Sequence, residues 1–253
     1  MARLDRTGKR SRWEAARVAE HAYAQRLRHV AQLIQQMVQG YAPEGEITPQ
    51  DEPYLRHTLE RYSEQLRPWA RMAARYMLAD VSRRNEQAWR KVAKDMGQSL
   101  RAEILQAPTG MVYQALMADQ VALITSLPTK AAERVHMLVT QGMAESTRAS
   151  EIAKEILRTG EVTANRATLI ARTEVSRAAS NFTQARAMYA GSPGYIWRTS
   201  GDGAVRDTHK AVNAKFFAWD KPPKTDPNLD PYHAGCGPNC RCYPDPVLPD
   251  FNY

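Results

Sequence analysis

Cysteine is scarce in this chain of 253 residues, and its three copies all fall between positions 236 and 242. Three thiols cannot all pair within one chain, and disulfides are rare in a reducing cytoplasm. Clustered thiols near histidines therefore turn the reading toward metal before bridges. Long apolar runs are missing too. None approaches the roughly 18 residues of a membrane span, so no membrane partner is expected. Met1 to Arg6 lead into no apolar core of a secretory signal. The chain is expected to be made and used in a cytoplasm, or to leave it by a route other than secretion. A Walker A loop, a zinc-protease helix motif and a Gly-Xaa-Ser-Xaa-Gly elbow are all absent, which removes the commonest signatures of nucleotide, metalloprotease and hydrolase chemistry.

What remains has the balance of a soluble globular protein, 43% hydrophobic and 25% charged. The length suits one large domain or two ordinary ones. The formal charge is +8 and unevenly spread. Residues 1–40 hold eight Lys/Arg against three Asp/Glu, a net +5, whereas 41–160 hold sixteen against fifteen and 161–253 eleven against nine. Such a basic segment, with Arg3, Arg6, Lys9, Arg10 and Arg12, suits DNA or an acidic protein surface; an equally weighted reading is a solvated helix face.

The first 190 residues read as almost entirely helical. Over 11–39, Leu27, Val30, Ile34, Met37 and Val38 recur at three- and four-residue steps, and Gly40 supplies a stop. Thr48-Pro49 with Asp51 and Glu52 signals a helix start. Leu55, Leu59, Tyr62 and Leu66 then share a face, and Pro68 restarts or kinks the helix. Trp69, Met72, Tyr76 and Met77 continue a stripe, and Trp89, Val92, Met96 and Leu100 form another. Further helices are expected at about 111–125, from Leu127-Pro128 to Gly142, at 151–158 closed by Gly160, and at 163–190 ended by Gly191. The small residues of that last helix imply close packing.

After Gly191 the composition turns to Gly, Pro, Asp and Asn. Strands are expected at 195–199 and 215–219, with a turn at Asp202-Gly203 and a short helix over 207–212. A last strand near 241–248 is confined to an edge by Pro244 and Pro246. The expected fold class is α+β: a mostly helical region, 1–105, followed by a small α+β module, 106–253, with a short, mainly antiparallel sheet.

The candidate metal ligands are His209, His233, Cys236, Cys240 and Cys242. Zinc takes four tetrahedral ligands from thiolate and imidazole; the set considered is His209 with the three cysteines, His233 being a substitute. Cys240 and Cys242, two apart, share one face of an extended segment, with Arg241 on the other. A disulfide from Cys236 to Cys240 or Cys242, and packed free thiols, stand beside zinc as alternatives. Glu174, in Arg172-Thr173-Glu174, is read as part of a polar network tying the long helix to the β part rather than as a catalytic acid. Arg206, Asp207 and His209 have the composition of a phosphodiester-cleaving site, but such clusters after Asp-Gly are commonly structural, and no enzyme is expected. Trp197 and Trp219 are expected to face one another in the core, and Phe216-Phe217 to pack there.

Residues 110–248 resemble the phage head morphogenesis family typified by the Mu F protein. The resemblance rests on Arg166-Ala167, Ala171-Arg172-Thr173-Glu174, Trp197-Arg198-Thr199, Asp202 through His209, Ala214 through Phe217, Pro222-Pro223, Asn239-Cys240-Arg241-Cys242 and Pro246-Val247-Leu248. Many members carry Cys-x-x-Cys where this chain has Arg206-Asp207-Thr208-His209, which replaces a four-cysteine set by a mixed His/Cys one. The resemblance implies a minor structural protein of a tailed-phage head, made in the host cytoplasm and residing in the virion's capsid interior. It implies portal protein as a partner, with major capsid or scaffold protein, and phage DNA reached through residues 1–40, as further ones. The roles implied are head assembly and DNA packaging or ejection. Residues 1–105 match no family and are assigned to docking and assembly.

Overall fold

The computed structural model describes residues 17–42, 48, 50–96, 107–145 and 147–249. The basic residues Arg3 to Arg12, and Pro49 and Leu100, lie outside them. Among the described residues, six helices come first: α1 (Arg17–Gly40), α2 (Glu52–Gln65), α3 (Arg67–Met96), α4 (Thr109–Ala144), α5 (Ala149–Leu157) and α6 (Thr159–Tyr189). Then follow β1 (Gly194–Arg198), α7 (Asp207–Val212), β2 (Phe216–Ala218) and β3 (Tyr243–Val247). The fold class is α+β. Contacts divide the chain into two compact units, one of residues 21–75 and 118–171, the other of 1–20, 76–117 and 172–253.

In the unit of residues 21–75 and 118–171, helices form because apolar positions recur every three or four residues and are buried together. Leu27, Val30, Ile34 and Val38 of α1 are almost fully buried, as are Leu55 and Leu59 of α2. Asp51 precedes α2 and accepts the Thr48 N–H at 3.0 Å, while Pro53 sits in the first turn, where no backbone donor is needed. α2 ends at Gln65 and α3 begins at Arg67, so Pro68 falls in a first turn as expected. The stripe expected at Met72 and Tyr76 is corrected: both are exposed, and Ala70, Ala73, Ala74 and Met77 carry the buried face. Alanine methyls let helices approach more closely than methionine does.

Two breaks expected from the sequence are absent. Pro128 does not begin a helix but lies inside α4. A proline removes one ladder bond, and hydroxyls crowd the same turn. Ser126 donates to the Leu123 carbonyl at 2.7 Å, and Ser63 of α2 to the Thr125 carbonyl at 2.8 Å. Gly160 does not close α5 but is the second residue of α6. A Cβ there would run into the Gln35 side chain of α1, so this glycine serves packing rather than termination.

In the other unit, three strands form one antiparallel sheet in the order β2-β1-β3. Tyr195 pairs with Phe217 on one side and with Pro246 on the other. β3 is an edge strand, where its two prolines need no ladder donor. Trp89 and Val92 of α3, Ala187 of α6, and Tyr195, Trp197, Trp219 and Tyr243 form the core beneath the sheet. Trp197 and Trp219 are both buried there but serve different neighbours. Trp219 lies 4.6 Å from the Tyr195 ring, and Trp197 stands edge-on to His209 at 5.3 Å and to Phe217 at 6.1 Å. Phe216, expected in the core, is about half exposed. Asn85 of α3 donates to Thr183 at 2.8 Å and accepts from Arg186, supplying a polar tie between α3 and α6.

Candidate metal centre

The segment from His233 to Cys242 has no regular secondary structure, so turn bonds, such as that from the Cys236 N–H to the His233 carbonyl at 3.0 Å, and side chains satisfy its backbone. α6 contributes three side chains that hold the segment. Thr173 accepts the Asn239 N–H at 2.9 Å, Arg172 donates to the Asn239 carboxamide oxygen at 3.0 Å, and Ser180 donates to the Ala234 carbonyl at 2.7 Å. Arg206 donates to the Pro238 carbonyl at 2.7 Å. Gly235 has a φ of +86°, and a Cβ on it would meet the Ser180 hydroxyl and, at 2.9 Å, the Cys242 carbonyl. Only glycine fits both the left-handed backbone and that close approach.

His209 comes from the short helix α7. After β1, Asp202 accepts the Ala204 N–H at 3.1 Å in a side-chain turn, and α7 begins after Arg206. His209 is 2% exposed. Its Nδ1 lies 3.5 Å from the Cys242 sulfur and 3.7 Å from the Cys240 sulfur. Its Nε2 lies 3.0 Å from the Tyr232 hydroxyl. The tautomer that donates from Nε2 to Tyr232 presents the Nδ1 lone pair to both sulfurs. Among the described residues, His209, Cys240 and Cys242 are the one group of potential ligands whose donor atoms lie within 4.8 Å of one another.

Extended backbone explains why Cys240 and Cys242 converge and Arg241 does not. Side chains two apart share a face, and Arg241 instead pairs with Asp202 at 3.0 Å. The other two candidates are not brought to the group. The Cys236 sulfur is 3.5 Å from the Asn181 carboxamide oxygen, and His233 Nδ1 is 3.1 Å from the Tyr195 hydroxyl, its ring edge-on to Trp219 at 5.7 Å. All three cysteines are free thiols.

The electrostatics separate the three thiols. Hydrogen bonding from Cys242 draws the Cys240 pKa well down, with His209 adding to the effect, while the same bond and burial raise that of Cys242. Burial pushes the Cys236 thiol up to about 12. Burial also lowers the pKa of His233, favouring the neutral ring. The indole nitrogen of Trp197, fully buried, makes no hydrogen bond of good geometry. The group it acts on is the Cys242 sulfur, whose pKa it lowers in opposition to Cys240.

A cleft of about 40 Å³ opens beside the group, lined by Asp202, Arg206, His209, Cys240, Arg241 and Cys242 among others. That exceeds the ~10–15 Å³ one water needs. Asp207 is not among the lining residues; it is exposed and accepts a hydrogen bond from Lys210 at 2.7 Å. Glu174 is buried and pairs with Arg177 at 2.8 Å, while its neighbours Arg172 and Thr173 carry the polar tie to the loop. Sequence reasoning passed over Trp197 as a neighbour of the thiols, Tyr232 as the histidine's partner, and the small polar residues of α6. A signal for the last existed: Thr173, Ser176 and Ser180 lie three and four apart on one helix face.

Comparison with known proteins agrees with the resemblance drawn from the sequence. Residues 133–244 match the family described as Phage Mu protein F like protein. An uncharacterized protein of Haemophilus influenzae is 34% identical over 134 residues, which are 53% of this chain and 29% of that protein. The match thus spans less than a third of the relative's length. No solved structure gives a significant match.

Proposed function

Taking residues 133–244 as Phage Mu F-like, we propose that this chain is a minor structural protein of a tailed-phage head, acting in head morphogenesis. The family match carries the proposal. In this reading the protein sits at the capsid interior in contact with portal protein, and with capsid or scaffold protein during assembly. Residues 1–105 dock it, and residues 106–253 form the family module. The net +5 of residues 1–40 is suited to phage DNA during packaging or ejection. Among the described residues no helix is long and apolar enough to cross a membrane.

A non-enzymatic role fits the geometry better than phosphodiester cleavage. A general base needs a free nitrogen within reach of a substrate. Here Nδ1 of His209 faces two sulfurs and Nε2 faces Tyr232. Asp207 is held by Lys210.

The test is co-expression of the full chain with portal and capsid proteins of its phage, followed by sedimentation of the particles. The chain should co-sediment with particles that contain portal and be absent from portal-less shells. Equal recovery with both would remove the portal assignment; recovery with neither would remove the head assignment.

A further inference from the structure

The arrangement of His209, Cys240 and Cys242 has a shape that packing alone does not require. A tetrahedral zinc ion, with Zn–S of about 2.3 Å and Zn–N of about 2.0–2.1 Å, places its ligand atoms ~3.6–3.8 Å from one another. The two measured separations from His209 Nδ1 are 3.5 and 3.7 Å. Both fall within a few tenths of an ångström of what such an ion requires, and all three donor atoms lie within 4.8 Å of one another.

Three further observations point the same way. The second nitrogen of His209 is fixed by the Tyr232 hydroxyl at 3.0 Å, the outer contact that orients a ligating histidine. The Trp197 ring stands edge-on to His209 at 5.3 Å, and its buried indole N–H makes no hydrogen bond of good geometry. A metal-bound thiolate is an acceptor for such a donor. Finally, two sulfurs and an imidazole nitrogen as the donor set favour zinc over the hard oxygen-seeking cations.

We propose that His209 Nδ1, Cys240 Sγ and Cys242 Sγ bind one zinc ion, and that the fourth vertex is open to the cleft lined by Asp202, Arg206 and Arg241 and is occupied by water. Cys236 and His233 are not ligands. Cys236 is engaged with Asn181, and His233 with Tyr195. The ion would fasten the turn after β1 to the segment entering β3. This proposal does not depend on the role in a phage head: zinc is measured on the isolated protein, and particle association is measured separately.

The experiment uses the full-length protein purified without chelator. Elemental analysis should give about one zinc per chain. X-ray absorption at the zinc edge should show about two sulfurs and two lighter N/O neighbours. Zinc should be kept by Cys236→Ser and by His233→Ala and lost by Cys240→Ser. If Cys240→Ser fails to fold, His209→Cys provides the second readout: it should still bind zinc, with three sulfurs. Metal-free wild-type protein, three or four sulfurs in the wild type, or loss of zinc in Cys236→Ser would each overturn the proposal.

Discussion

In the unit of residues 21–75 and 118–171, each helix closes its own backbone hydrogen bonds. Side chains are then left to pack, and most of the buried residues are aliphatic, such as Leu27, Ile34, Leu55 and Leu59, with Gln120 and Thr159 among the few polar ones. The segment 194–249 has three strands of five, three and five residues, and long stretches between them without regular bonding. Its backbone is satisfied in part by Thr173 and Ser180 of α6 and by Arg206, just before α7. Its buried centre holds histidine, thiols and aromatic rings. One region is specified by volume and period, the other by geometry at single atoms. Substitutions should therefore act differently in the two.

The largest effects should come from the aromatic centre. Trp197→Ala removes a fully buried indole and should destabilise by ~3–5 kcal/mol, whereas Leu55→Ala should lose ~2–5 kcal/mol. Denaturant melts followed by tryptophan fluorescence and by circular dichroism separate the two. Trp197→Ala should unfold the C-terminal signal first, and Leu55→Ala the helical one. A single coincident transition for both variants would erase the distinction between the regions.

Next in size is a substitution that changes almost no volume. Gly235→Ala adds one methyl at a φ of +86° and against the Ser180 hydroxyl and Cys242 carbonyl. It should destabilise by ~1–3 kcal/mol. Gly110→Ala, on a helix where a Cβ meets nothing within 4 Å, should be neutral or stabilising in a thermal melt.

A smaller effect should appear at high pH. Burial raises the Cys236 thiol from 9.0 to about 12, so the fold prefers the protonated thiol. That contribution is complete below pH 9.0 and is lost as the pH climbs toward about 12. Cys236→Ala should flatten the alkaline decline in stability over that window. An unchanged slope would show that the thiol does not ionise at a cost to the fold.

The contrast between regions also explains what could be read in advance. Period and proline placed β3 at an edge, marked Pro68 as a helix restart and put Leu27, Ile34 and Leu55 inside, because those features are local. The helix through Pro128 and the role of Gly160 were hidden, because each depends on a distant partner: Ser63 in one case and Gln35 in the other. At the candidate centre, alternation placed Cys240 and Cys242 together. Nearness in sequence also suggested Cys236, which backbone at Gly235 turns toward α6 and Asn181 instead. Tyr232 lies in an irregular loop whose path no periodicity describes.

The central claim is that the C-terminal segment is fastened through His209, Cys240 and Cys242 rather than by its short sheet. Hydrogen exchange read by mass spectrometry, before and after metal removal with a strong chelator, tests it most directly. Peptides covering 199–214 and 232–248 should lose protection, while those from α1 and α2 keep theirs. Unchanged exchange in the two C-terminal peptides, or an equal rise in α1 and α2, would contradict the account.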